Sequence, residues 1–83
     1  MMITVKLYAH FRQYLPEGTG AQGVQLNIDE NDSINQVLQR LNVSSTRAHL
    51  VLINGVFVAP ENRNEAIFRD HDVLAIWPQV AGG

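Results

Sequence analysis

Cysteine is absent from the sequence, which removes disulfides, thiolate metal ligands and a cysteine nucleophile together. Small secreted domains often rely on disulfide staples, so the absence directs the expectation towards the cytoplasm. No apolar run approaches the length of a membrane span. The opening residues Met1-Met2-Ile3-Thr4-Val5-Lys6 alternate and soon meet a charge, unlike a signal peptide. Basic runs are missing too, and the formal net charge is −2. Neither a nucleic acid nor a membrane is therefore expected as a partner. What remains is 83 residues with a hydrophobic fraction of 46%, ordinary for a globular protein and enough for one domain. A chain near this length buries roughly 60–65% of its unfolded surface and can fold alone.

Periodicity supplies the elements. Ile3, Val5 and Leu7 alternate with Thr4, Lys6 and Tyr8, the period of a half-buried strand. Phe11 and Leu15, four apart, suit one or two helical turns that Pro16 ends, because the residue before a proline is pushed out of the helical region. Residues 16–23 have turn composition, and Val24, Leu26 and Ile28 alternate as a second strand. Ser33 and Gln36 have the spacing of a capping box, with Asp32 a competing cap. Ile34, Val37, Leu38 and Leu41 then share one helical face, and Asn42 tolerates the left-handed angles of a helix end. Leu50-Val51-Leu52-Ile53 is a continuous apolar run, as for a strand covered on both faces. Asn54-Gly55 predicts a tight hairpin leading to a return strand at Val56-Phe57-Val58. A short turn is expected around Glu65–Phe68, another at Asp70-His71-Asp72, and a last strand at Val73–Trp77 that Pro78 should close. The order strand, strand, helix, strand, strand, strand predicts an α+β roll, a mixed sheet packed against one main helix.

The chain then divides into a packed domain, 1–77, and a flexible C-terminal tail, 78–83, with the sequence Pro78-Gln79-Val80-Ala81-Gly82-Gly83. A Gly-Gly end has no Cβ, so it suits a narrow channel and leaves a terminal carboxylate open to attack or to nucleophilic use. Fraying is the plain alternative, since chain ends are commonly disordered.

Other signals are weak. Gly18-Thr19-Gly20-Ala21-Gln22-Gly23 matches the dinucleotide fingerprint letter for letter, but it follows a proline-ended turn and opens a strand rather than a helix. His10, His49 and His71 are scattered without a ligand pattern, so no metal site is expected. Ser44-Ser45 lacks the setting of an activated nucleophile, and two glycosylation triplets at Asn31 and Asn42 lack a secretory signal. Nothing inside the domain reads as a catalytic site, and no bound cofactor is expected.

Several stretches together resemble the MoaD/ThiS sulfur-carrier family. Tyr8-Ala9-His10-Phe11-Arg12-Gln13 is similar to the F-A-x-x-R-E segment of molybdopterin-synthase small subunits, with Gln13 where an acid is usual. Asn54, Asp72 and Val73 fall where the family often has V-N and G-D-E-V. Residues 75–83 resemble its A-x-F-P-P-V-x-G-G ending, with Trp77 for the aromatic and Gln79 for the second proline. The resemblance implies a ubiquitin-like β-grasp fold and a carrier that is not itself an enzyme. A ubiquitin-activating-like enzyme would use ATP to adenylate Gly83, and a sulfur donor protein would convert it to a thiocarboxylate. In the molybdopterin branch Pro78, Gln79, Val80, Ala81 and Gly82 would thread into the large subunit of molybdopterin synthase. Thiazole, cysteine, tRNA or tungsten-pterin sulfur carriers, a ubiquitin-like protein modifier and an interaction module remain open alternatives.

Binding energetics add one requirement. Ordering the five residues from Gln79 to Gly83, at about 1–2 kcal/mol each, costs roughly 5–10 kcal/mol, which rivals the roughly 8 kcal/mol of a micromolar complex. The folded body is therefore expected to dock as well, through an apolar patch on the sheet.

Overall fold

The computed structural model describes residues 1–79. Five strands and one α-helix follow the expected order: β1 (Met2–Leu7), β2 (Val24–Asn27), α1 (Ile34–Arg40), β3 (Ala48–Ile53), β4 (Val56–Phe57) and β5 (Val73–Pro78). The sheet runs β2-β1-β5-β3-β4. Its central pair, β1 and β5, is parallel, while the flanking pairs are antiparallel. This is the mixed-sheet β-grasp roll, with α1 in the connection between the two halves of the sheet.

One face of the sheet makes the core. Ile3, Val5 and Leu7 of β1, Val51 of β3, and Leu74 and Ile76 of β5 are buried against Ile34, Val37 and Leu38 of α1. Burying each such side chain contributes about 1.5–3 kcal/mol relative to leaving it exposed. The helix starts where its sequence directs: Ser33 Oγ accepts from Gln36 N–H at 3.2 Å, and Gln36 Oε1 accepts from Ser33 N–H at 2.7 Å. Asp32, the competing cap, instead accepts from Asp29 N–H at 3.0 Å and lies 3.8 Å from Arg40. Asn42 takes φ 62 just beyond the helix, and Asn54-Gly55 takes φ 50 and 83, the paired positive angles of a type I′ hairpin.

The helical turns expected after β1 are a 3₁₀ segment, Ala9–Tyr14, that buries Phe11 and leaves the helical region at Leu15 before Pro16. Two expectations need correction. The turn placed at Glu65–Phe68 falls earlier, at Pro60–Asn62, because proline pre-sets φ for a helical first residue. And β5 runs one residue further than expected: Pro78 is buried opposite Ala48, where the register of β3 shifts between Ala48 and Leu50. A bulge is a setting that tolerates a strand proline.

The apolar run Leu50–Ile53 also reads differently in place. Val51 is buried, but Leu50 and Leu52 are only half-buried, because they lie on the sheet face opposite α1. On that outer face they stand beside Trp77 and Ala75, and Phe57 pairs with Leu52.

Candidate functional site

The end of β5 is built from three directions. In the parallel β1–β5 pair, Tyr8 N–H donates to Ile76 C=O at 3.1 Å. The next bond of such a ladder would come from residue 78 to Tyr8, and proline has no N–H to supply it. The two strands therefore part here. Ala9 turns away with φ 53 into the 3₁₀ segment, and β5 runs on to Pro78 paired with β3 alone.

An aromatic pair marks that fork. Tyr8 and Trp77 stack with ring centroids 4.2 Å apart and planes 3° from parallel. Both are half-buried on the outer face, where Trp77 pairs with Leu50. With Leu52, Phe57, Val73 and Ala75 they form an apolar surface on the tail side of the sheet. Phe57 is 54% exposed, so this surface is open at the β4 edge.

On the other side of the fork Arg63 holds the strand end in place. It is only 3% exposed; its Nη1 donates to Ala48 C=O at 2.7 Å and its Nε to Val58 C=O at 3.1 Å. Burial holds the guanidinium below its ordinary pKa, partly offset by the negative charge of Glu61. Since Ala48 faces Pro78, this buried arginine ties the loop after β4 to the base of the tail.

Tertiary structure also gathers residues that the sequence leaves scattered. His10, Thr46, Arg47 and His49 line a shallow groove with Pro78 and Gln79, and Arg47 Nη2 lies 3.3 Å from His10 Nε2. The linear spacing of His10 and His49 carries no signal for this, because the 3₁₀ segment and the start of β3 meet only in the fold. Among the described residues no group of three His, Asp or Glu side chains could hold a metal ion, and no helix is long and apolar enough to cross a membrane.

Of the expected site residues, Pro78 ends β5 and Gln79 is exposed directly after it. Val80, Ala81, Gly82 and Gly83 lie outside the described residues. Asn54, Asp72 and Val73 prove to be a structural clasp. Asn54 Nδ2 donates to Asp72 Oδ1 at 2.8 Å, Val73 N–H donates to Asn54 Oδ1 at 2.9 Å, and Arg69 N–H donates to Asp72 Oδ2 at 2.8 Å. The dinucleotide-like stretch forms two turns, closed by Thr19 N–H on Pro16 C=O and Gly23 N–H on Gly20 C=O, and feeds β2. Among the described residues it opens β2 and not a helix, so the fingerprint's mechanism is missing.

Residues 5–83 match the model of the ThiS family. Three solved structures share the fold. The HVO 2177 protein of Haloferax volcanii superposes with a TM-score of 0.74 at 23% identity, over 100% of this chain and 87% of that one. SAMP1 from Haloferax volcanii gives 0.65 at 20% identity, over 100% of both chains. A candidate molybdopterin converting factor, subunit 1, from Pyrococcus furiosus gives 0.67 at 18% identity, over 95% of this chain and 98% of that one. No curated protein matches the sequence.

Proposed function

The chain belongs to the ThiS family, and from that premise we propose that it is a sulfur carrier whose Gly83 carboxylate is adenylated by a partner enzyme and converted to a thiocarboxylate. The observation that carries this reading is the course of β5. The strand that leads to residues 79–83, β5, lies between β1 and β3 and not at a sheet edge. Its end is fixed by the Tyr8–Trp77 stack and by the bond from Arg63 to Ala48. A tail that starts from a rigid base loses less entropy when it enters a channel.

The chemistry follows from the ending. A free carboxylate is a poor acyl donor, and a mixed anhydride with AMP makes its carbon attackable. ATP enters as a substrate of the partner. Sulfur delivered by a donor protein at the sulfide level then attacks the acyl carbon, and the bond to the AMP oxygen breaks with its electron pair leaving on AMP. The absence of side chains at Gly82 and Gly83 leaves both faces of the acyl carbon open. The apolar outer face around Trp77, Leu50 and Phe57 supplies the docking energy that the tail alone lacks. This chain contributes the acyl group and the docking surface, and its partners contribute the catalytic side chains. We take the acceptor to be the pterin precursor of the molybdenum or tungsten cofactor, with this chain as small subunit beside a large synthase subunit; the ending from Ala75 to Gly83 supports it. Deleting Gly83, or adding one residue after it, is expected to leave the fold intact and abolish sulfur acceptance. A variant that still accepts sulfur at a normal rate would exclude the terminal carboxylate as the carrier.

A second reading is favoured by the superposition on SAMP1 of Haloferax volcanii, whose name marks a small archaeal modifier protein. In it, the activated Gly83 is transferred to lysine amines of target proteins. The last tryptic site before the end is Arg69, so a modified target would carry residues 70–83 as its branch rather than a Gly-Gly remnant. Searching digests for that branch separates the two readings.

A further inference from the structure

Once Gly83 is activated, any accessible amine competes with sulfur for the acyl carbon, and this chain has few amines. Its six basic side chains are five arginines and a single lysine, Lys6. Arginine stays protonated and is not acylated under such conditions. The other amine, the α-amino group of Met1, is held in place, donating to Ile28 C=O at 2.7 Å with Asn27 Oδ1 at 3.4 Å. That leaves one ε-amine.

Lys6 stands on the outer face of β1, opposite Ala75 of β5. Beside it lies a small cavity lined mainly by carbon, with Lys6, Tyr8, Arg12, Leu15, Ala21 and Gly23 among its walls. No carboxylate among the described residues pairs with Lys6 or Arg12. An apolar cavity walled by the Lys6 amine and the unpaired Arg12 guanidinium suits a peptide end that is poor in side chains and whose acyl group is joined to an anionic phosphate. Val80-Ala81-Gly82-Gly83, once adenylated, has that chemistry.

The geometry favours reaction between molecules. β1 and β5 are parallel, and Lys6 is paired with Ala75, three residues before Pro78, so β5 has passed its own Lys6 before the chain reaches Pro78. The face that carries Lys6 is also the one that docks on the activating partner in the account above. Resting on the activation of Gly83, we propose that Lys6 is the acceptor for the activated C-terminus of a second copy of this chain, giving a Gly83–Lys6 isopeptide. The neutral Lys6 amine attacks the acyl carbon, the bond to the AMP oxygen breaks with its electron pair leaving on AMP, and the nitrogen loses one proton. No oxidant or reductant is needed.

The test supplies the activated end chemically. The full chain is prepared with Gly83 as a thioester by intein cleavage and mixed, at mildly alkaline pH, with a heavy-isotope-labelled copy that ends in a free carboxylate. The expected result is a covalent dimer in which the branch 70–83 sits on Lys6 of the labelled copy, with loss of that product in Lys6→Arg. Branches chiefly on the Met1 amine, a cyclised monomer, or hydrolysis alone would overturn the proposal. Because the thioester is made without an adenylating enzyme, such a failure leaves the activation of Gly83 standing. Failure of activation appears separately, as an unchanged mass after treatment with enzyme and ATP.

Discussion

Tyr8 and Trp77 lie face to face, 4.2 Å between ring centroids and 3° from parallel, at the point where β1 and β5 part. The pair brings together the residue after the first strand and the residue before the tail's proline. It therefore joins the two stretches of sequence that carry the family resemblance. Trp77→Ala removes a stacked pair worth about 0.5–1.5 kcal/mol beyond its area, together with the burial of a half-covered ring. We expect a stability loss of about 1–3 kcal/mol, read by urea unfolding. Adenylation should show a raised KM for the carrier, beyond what the unfolded fraction explains, because the proposed docking face includes the same ring.

Arg63 gives a second prediction. Arg63→Met leaves the Ala48 and Val58 carbonyls without their charged donor. Leaving a buried acceptor unsatisfied costs about 1–3 kcal/mol, so a loss of about 2–4 kcal/mol is expected for the pair. Arg63→Lys should recover only part of it, since an ammonium lacks the guanidinium's planar fork. Thermal unfolding of both variants measures the difference.

Gly23 is fixed by space as well as by angle. It has φ 82, and a Cβ there would press into the Val5 carbonyl and the Lys6 side chain. Left-handed angles cost a non-glycine residue about 1–2 kcal/mol, and a forced contact adds about 1–3 kcal/mol. Gly23→Ala should therefore destabilise the domain by about 2–4 kcal/mol. That corresponds to a fall in Tm of roughly 10–30 °C for a domain of this size. Gly18 shares the positive angle but has open space around the missing Cβ, so Gly18→Ala should cost less in the same measurement.

Acid should weaken the fold through Asp70. The Met2 N–H bond to Asp70 Oδ1, 2.8 Å long, holds this carboxyl below its usual value, and the charge of neighbouring His71 acts in the same direction. A carboxyl with a lowered folded pKa contributes stability above its unfolded value and loses it as pH falls through its folded value. Chemical unfolding across the acidic range should show a shallower pH dependence in Asp70→Asn than in the wild type.

Much of the fold was legible because the decisive signals are local. The capping box at Ser33 and Gln36, the paired positive angles of Asn54-Gly55 and the alternation of Ile3, Val5 and Leu7 all act within a few residues, and each is met in place. Readings that needed a neighbour from elsewhere in the chain were less complete. Pro78 stays in the sheet because a bulge in β3 lies opposite it. Leu50 and Leu52 are apolar without being covered on both faces, since the outer face carries no helix among the described residues. The groove of His10, Arg47 and His49 exists only once the 3₁₀ segment meets β3. At the site itself, the residues that brace the tail, Arg63 above all, carried no sequence signal. A buried arginine bonded to two carbonyls looks the same in sequence as a solvent-facing one.

Whether Gly83 is the reacting group is decided by the intact mass of the full chain after incubation with an adenylating enzyme of the ubiquitin-activating type, ATP and a sulfur donor. The expected shift equals the exchange of one oxygen for sulfur, located by fragmentation to Gly83 and absent when Gly83 is deleted. An unchanged mass under conditions that load another ThiS-family carrier, or a sulfur placed elsewhere in the chain, would contradict it.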